Sequence, residues 1–179
     1  MTHQAIPRRA LVLLVVLTLV WGANWPLFAF AVREISVWTF RAVAVTLAGL
    51  MLLTVARARG LSLAIPRDRW PTICIGTFFF LIIWNIASTY SAILIPSGQS
   101  AVLGFTMPLW SVLISWAVLG ERLGGRLLLA VALGGAAVIL LMLPGLEAYV
   151  SVPLGFALGL GTGRGWAIGT LVLKRGKVM

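Results

Sequence analysis

Apolar residues along this chain come in continuous runs of about 20, the length a helix needs to cross a hydrocarbon core about 30 Å thick. The runs do not alternate at period two, so they read as helices and not as barrel strands. They cover about 10–32, 37–56, 70–94, 99–119, 127–143 and 153–173. Short polar or basic segments separate them. Arg33-Glu34-Ile35-Ser36 and Ile95-Pro96-Ser97-Gly98 are tight turns, and Pro144-Gly145 stops the fifth run. The pattern therefore predicts an all-α integral membrane protein of about six transmembrane helices. The first run follows Arg8 and Arg9, as a signal peptide's would. It is too long for one and no small-x-small cleavage site closes it, so an uncleaved span is expected.

Charge changes the picture by orienting the bundle. With the N-terminus on the cytoplasmic side, the inner segments carry Arg8, Arg9, Arg57, Arg59, Arg67, Arg69, Arg122, Arg126, Lys174, Arg175 and Lys177, and the outer turns carry only Arg33. Six spans with both ends cytoplasmic keep that bias in every loop, and adding or losing one internal span scrambles it. The net charge of +10 does not indicate a nucleic-acid partner, because the cations sit in short clusters between apolar runs and not on one face of a polar domain. A composition of 61% hydrophobic and 10% charged residues, with mean hydropathy +1.07, excludes an ordinary soluble domain. The expected environment is the lipid bilayer of the cell (inner) membrane.

Little in the sequence suggests catalysis. No nucleophile stands with a base, and no phosphate loop or metal cluster is present. No enzyme activity, cofactor or bound metal is expected. His3 lies in the tail without metal partners, and Cys74 reads as a small buried hydrophobe.

Polar residues inside the spans are the candidate chemistry. The first span carries Trp21-Gly22-Ala23-Asn24-Trp25-Pro26, where proline removes a helical hydrogen bond and glycine and asparagine loosen the same turn. This reads either as a broken helix of the kind that lines transporter sites or as a proline kink filled by neighbours. The third span has Trp84-Asn85 and Ser88-Thr89-Tyr90-Ser91. The fourth has Gln99, Ser100, Thr106, Pro108, Trp110 and Ser111. Asn85 and Gln99 can bond neighbouring helices, but their convergence with aromatics favours a pocket.

Two arginines fall within spans. Arg41, near the outer end of the second, reads as a structural residue that snorkels to the interface. Arg164, near the middle of the sixth, costs about 2.5–3.5 kcal/mol to insert and should face a cavity or a partner. The rival reading is that this last segment is poorly seated because its partners are missing. No Asp or Glu lies in the interior of any span, so a proton-coupling carboxylate is absent from this stretch. Trp38, Trp70 and Tyr149 read as interfacial belt residues. Glycines at 155, 159 and 163, and at 161, 165 and 169, form two small-xxx-small rows that mark a helix packed closely on both sides.

Several of these segments, in order, resemble the drug/metabolite transporter superfamily, in its EamA branch. They are Leu19-Val-Trp-Gly-Ala-Asn24, Thr39-Phe-Arg41, Ser97-Gly-Gln-Ser-Ala-Val-Leu through Pro108-Leu-Trp, and Leu119-Gly-Glu-Arg-Leu123. The resemblance implies one five-helix repeat over 10–143, after a tail of 1–9 and before an outer loop of 144–152. Residues 153–179 would be the first helix of an incomplete, inverted second repeat, with Gly165-Trp166-Ala-Ile-Gly-Thr170 echoing Val20-Trp21-Gly-Ala-Asn-Trp25. Arg164 departs from the small or apolar residue expected there.

The implied function is movement of small metabolites, such as amino acids or related compounds, by alternating access. The cavity would draw on Trp21, Asn24, Trp25, Trp84, Asn85, Gln99 and Thr106. Arg164 joins these as a cavity candidate on its own position in the span. Glu121 and Arg122 would hold the inner helix ends together, and Pro26 and Pro108 would shape their helices. The missing second half, or a homodimer, would complete the carrier. The alternative is a non-transporting protein that binds a partner through its glycine-rich last helix, or an inactive fragment.

Overall fold

The computed structural model describes residues 7–176, so the readings placed on His3 and Lys177 lie outside the described residues. Six helical segments follow one another: α1 Arg8–Glu34, α2 Val37–Ala58, α3 Arg67–Leu94, α4 Ser97–Leu119, α5 Gly125–Ser151 and α6 Pro153–Arg175. No strand occurs among the described residues. The first five are long and apolar enough to cross a membrane. The sixth has the length, at 23 residues, but its glycines and Arg164 dilute its apolarity. It is also the most enclosed, lying between α3 and α4, while α2 and α5 have no residue buried along their main helical stretches.

The enclosure of α6 follows from its glycines. Lipid tails are as apolar as leucine, so helices in a bilayer associate through close contact and hydrogen bonds rather than through exclusion of water. A side chain at Gly159 would meet Leu103 and the Ser91 hydroxyl, and one at Gly163 would meet Thr106 and Trp110. On the other row, Gly165 faces Ile83 and the Phe79 carbonyl, and Gly169 faces Phe80 and the Gly76 carbonyl. One row thus turns mainly toward α4 and the other toward α3. Buried hydroxyls join the three helices at this seam. Ser100 Oγ donates to Ser91 Oγ at 2.8 Å, and Ser91 Oγ donates to the Gly155 carbonyl at 2.9 Å. Because the glycine rows are covered by the chain's own helices, they offer no free face to a partner, which corrects the reading of that face as a partner surface.

The interruptions fall where local chemistry demands them, and only partly where the sequence pattern puts them. α1 runs unbroken through Pro26, so the Trp21–Pro26 segment is helical and not unwound. The bilayer tolerates the lost bond at Pro26 inside one long helix. The break lies instead in α4, at Phe105–Thr106, two residues before Pro108. Pro108 lacks an N–H and its ring crowds the carbonyl four residues back, while the residue before a proline resists the helical region. Thr106 makes the break tolerable: its Oγ1 donates to the Leu103 carbonyl at 2.5 Å and accepts from Trp110 Nε1 at 3.0 Å. α3 contains a wider, π-helical stretch, Phe78–Ile83, a distortion often found at functional sites. Residues 144–151, expected as loop, are helical and prolong α5.

Replacing Gly159 with valine is predicted to destabilise the bundle by about 1–3 kcal/mol through overpacking, read as a lowered Tm in detergent. Gly161→Ala, whose added carbon meets only Ala87 at 3.8 Å, should leave Tm nearly unchanged. Equal losses in the two variants would show that the seam is not set by these contacts.

Candidate functional site

Two cavities open on α3, one on each side. The first, about 240 Å³, lies between α1, α3 and α4 and is walled by Val20, Trp21, Asn24, Trp25, Trp84, Gly104, Phe105 and Met107. Trp21 is the midpoint of α1, so this cavity sits at the middle depth of the bundle. The close approach of α4 follows from Gly104, where the Trp25 ring occupies the space a side chain would need. Aromatic rings form much of the wall, and further rings pack against them. Trp166 of α6 meets Trp21 edge-on at 5.9 Å, Trp84 at 5.8 Å and Phe80 at 3.9 Å between centroids, and Phe105 lies 6.4 Å from Trp21. The polar side chain among these walls is Asn24, which is exposed and makes no hydrogen bond among the described residues. An apolar aromatic enclosure with one free amide is suited to holding a small solute in a fixed orientation.

The second cavity, about 280 Å³, lies between α2 and α3, with Trp38, Arg41, Asn85, Thr89 and Tyr90 among its walls. The Arg41 side chain does not snorkel away. Its Nε donates to Thr89 Oγ1 at 2.8 Å and its Nη2 to Ser88 Oγ at 3.3 Å. Its guanidinium lies 4.3 Å from the Phe28 ring centre and 5.8 Å from that of Trp84, within range of cation–π attraction. Asn85, Ser88 and Thr89 follow helical spacing of three and four, which turns them to one face of α3. Asn85 Nδ2 donates to the Leu81 carbonyl at 2.7 Å, beside the π-helical stretch.

The structure brings Trp21, Asn24, Trp25 and Trp84 into one cavity. It sends the other candidates elsewhere. Asn85 belongs to the α2–α3 cleft. Gln99 lies at the end of α4, where its Oε1 accepts from the Tyr149 hydroxyl at 2.5 Å. Tyr149 is therefore a buried tie between α4 and α5 and not a belt residue. Thr106 is 4% exposed and occupied with the α4 break. Arg164 is exposed, its guanidinium 4.2 Å from the centre of the Trp110 ring, away from both cavities. Glu121 pairs with Lys174 at 3.4 Å, joining the α4–α5 loop to the end of α6, and Arg122 makes no such contact among the described residues. Cys74 is exposed on α3, contrary to its expected burial.

Phe105 on the cavity wall, Trp166 packed against Trp21 and Trp84, and the setting of Arg41 were not read from the sequence. The signal for Arg41 was available in the Asn85, Ser88, Thr89 spacing opposite an arginine.

Residues 8–143 match the EamA-like transporter family, and the chain belongs to that family. It is also 28% identical over 167 residues to a protein from Bacillus subtilis (strain 168) named Uncharacterized transporter YvbV. That match covers 93% of this chain and 54% of the relative, so the chain spans about half the length of that protein. No solved structure matches it. The apolar helices and the family together make this a multi-pass membrane protein.

Thr106→Val keeps the side-chain volume but leaves the Leu103 carbonyl and the Trp110 N–H without their partner. We predict a loss of about 1–3 kcal/mol in stability, measured by thermal unfolding, with Thr106→Ser recovering most of it. A valine variant as stable as the parent would remove Thr106 from the account of the break.

Proposed function

We propose that the chain moves small metabolites, such as amino acids or related compounds, across the cytoplasmic membrane by alternating access, as part of a two-repeat carrier. The observation that supports this reading best is the mid-depth cavity of Trp21, Asn24, Trp25 and Trp84. Aromatic faces take the apolar part of a solute, and the free amide of Asn24 offers it two N–H donors and a carbonyl acceptor. Family membership supports transport in general, and no reaction chemistry is required of the site. Asn24 is exposed, and a second repeat packed over it would close the cavity. That closure comes either from a longer chain or from a second copy inserted in the opposite sense. The cation bias argues for the first, because chains that insert both ways need weak bias.

The same bias supports a cytoplasmic N-terminus. A reporter fused after Arg59 is expected to read as cytoplasmic, and a periplasmic reading would reverse the orientation.

Transport is tested with membrane vesicles containing the chain, alone and in its full genomic reading frame, and a panel of radiolabelled amino acids. Uptake or efflux of at least one is expected, and Asn24→Ala or Trp84→Ala should slow it about tenfold or more at equal protein in the membrane. A loss of that size corresponds to about 1.4 kcal/mol of binding or barrier. Rates unchanged by both substitutions would remove this cavity from the path of the solute.

A further inference from the structure

We propose that Arg41 is the docking group for the oxyanion of an amphiphilic solute, whose apolar body lies in the α2–α3 cleft. The inference rests on the carrier reading for its place in transport but not for binding itself.

Arg41 carries an unbalanced charge. Arg41 lies within the membrane-spanning part of α2, and its guanidinium makes no ion pair among the described residues. The four acidic residues of the chain, Glu34, Asp68, Glu121 and Glu147, lie at helix ends or in loops. A guanidinium has five N–H donors. One bonds Thr89 and one Ser88, which leaves three. Those two hydroxyl contacts also hold the planar group in place, so it meets an incoming anion without first losing much side-chain freedom.

The rings of Phe28 and Trp84 flank the guanidinium. They cover part of it with apolar surface and present no carboxylate to compete. A charge held in such surroundings attracts an oxyanion far more strongly than one in water.

The cleft supplies the rest of the recognition. Apart from Arg41, Asn85, Thr89 and Tyr90, its walls are apolar, and Trp38 closes one side with its edge toward Tyr90 at 6.3 Å between ring centres. A volume of about 280 Å³ admits a body the size of an aromatic acid. Trp84 borders the other cavity and also lies under Arg41, so an anion held here sits beside the mid-depth cavity. Arg164, the other arginine within a span, has one ring beneath it and borders neither of these cavities. It does not have the features of a built site.

The test is calorimetry on the purified chain in phosphatidylcholine nanodiscs, with phenylacetate and its neutral isostere phenylacetamide as probes. Phenylacetate is expected to bind at least about tenfold more tightly than the amide. Arg41→Gln should bring the two within about twofold, and Arg41→Lys, which keeps the charge without the fork, should retain about a threefold preference. Equal affinities in the parent, no saturable binding below about 10 mM, or an undiminished preference in Arg41→Gln would each overturn the inference. If Arg41→Gln does not fold, Arg41→Lys decides alone: an undiminished preference with an unchanged circular dichroism spectrum overturns the inference.

Nanodiscs of phosphatidylglycerol distinguish the source of the oxyanion. Preference retained there assigns the site to a soluble acid, and Arg41-dependent competition assigns it to a lipid headgroup. Binding is read at equilibrium, so acid preference without transport keeps this site and removes the carrier reading. Transport without acid preference does the reverse.

Discussion

The arrangement depends on a contact made by missing atoms. α6 approaches α3 and α4 closely because glycines at 155, 159, 163, 165 and 169 present bare backbone to both. In a bilayer there is no gain from excluding water between helices, so van der Waals contact and hydrogen bonds must supply the cohesion. The backbone of α6 is near enough to take part directly, through the Gly155 carbonyl that accepts from Ser91. Once α6 is seated, α3 and α4 cannot slide against each other. That fixes Trp84 across from Gly104 and Phe105, and packs Trp166 against Trp84. The cavity is thus a consequence of the seam, although few of its residues belong to it.

A second constraint acts on every polar group within the apolar region. With little water available, a polar group there gains from a partner inside the protein. Most do so locally: Thr18, Thr54, Ser111 and Thr162 donate to carbonyls four residues back on their own helices. Such bonds hide polarity without shaping the fold. Ser91, Ser100, Thr106 and the Gln99–Tyr149 pair act differently. They join separate helices or repair a broken one, so their positions carry information about architecture.

Much of the architecture was legible in the sequence because a membrane makes apolar length decisive. The runs named the helices to within a few residues, except that α5 continues eight residues past its run, and the two glycine rows identified the helix with two close neighbours. The site was legible in part. Trp21, Asn24 and Trp25 were found because a polar and aromatic turn in an apolar run is conspicuous. Gln99 and Thr106 were assigned to the same pocket because composition does not reveal the direction of a side chain about its helix axis. That direction places one at the α5 contact and the other at the α4 break. Trp166 reads from sequence only as an echo of Trp21, and its packing against Trp21 and Trp84 depends on the seating of α6. The unbroken course of α1 has a similar cause. Proline removes one hydrogen bond wherever it stands, but only in α4 does a nearby threonine accommodate a true interruption.

The two arginines within spans show why position in a span does not by itself assign a role. Their depths made Arg164 the stronger candidate, since insertion cost rises toward the middle of the bilayer. Depth, however, measures only the penalty of an unpartnered charge. The structure adds what surrounds each charge. Arg41 is held by two hydroxyls and flanked by rings, and it borders a cleft. Arg164 rests on the face of one tryptophan. A charge stabilised by its own protein, yet left with free donors beside open volume, is prepared for something that is not part of that protein. A charge resting on a single ring is merely accommodated.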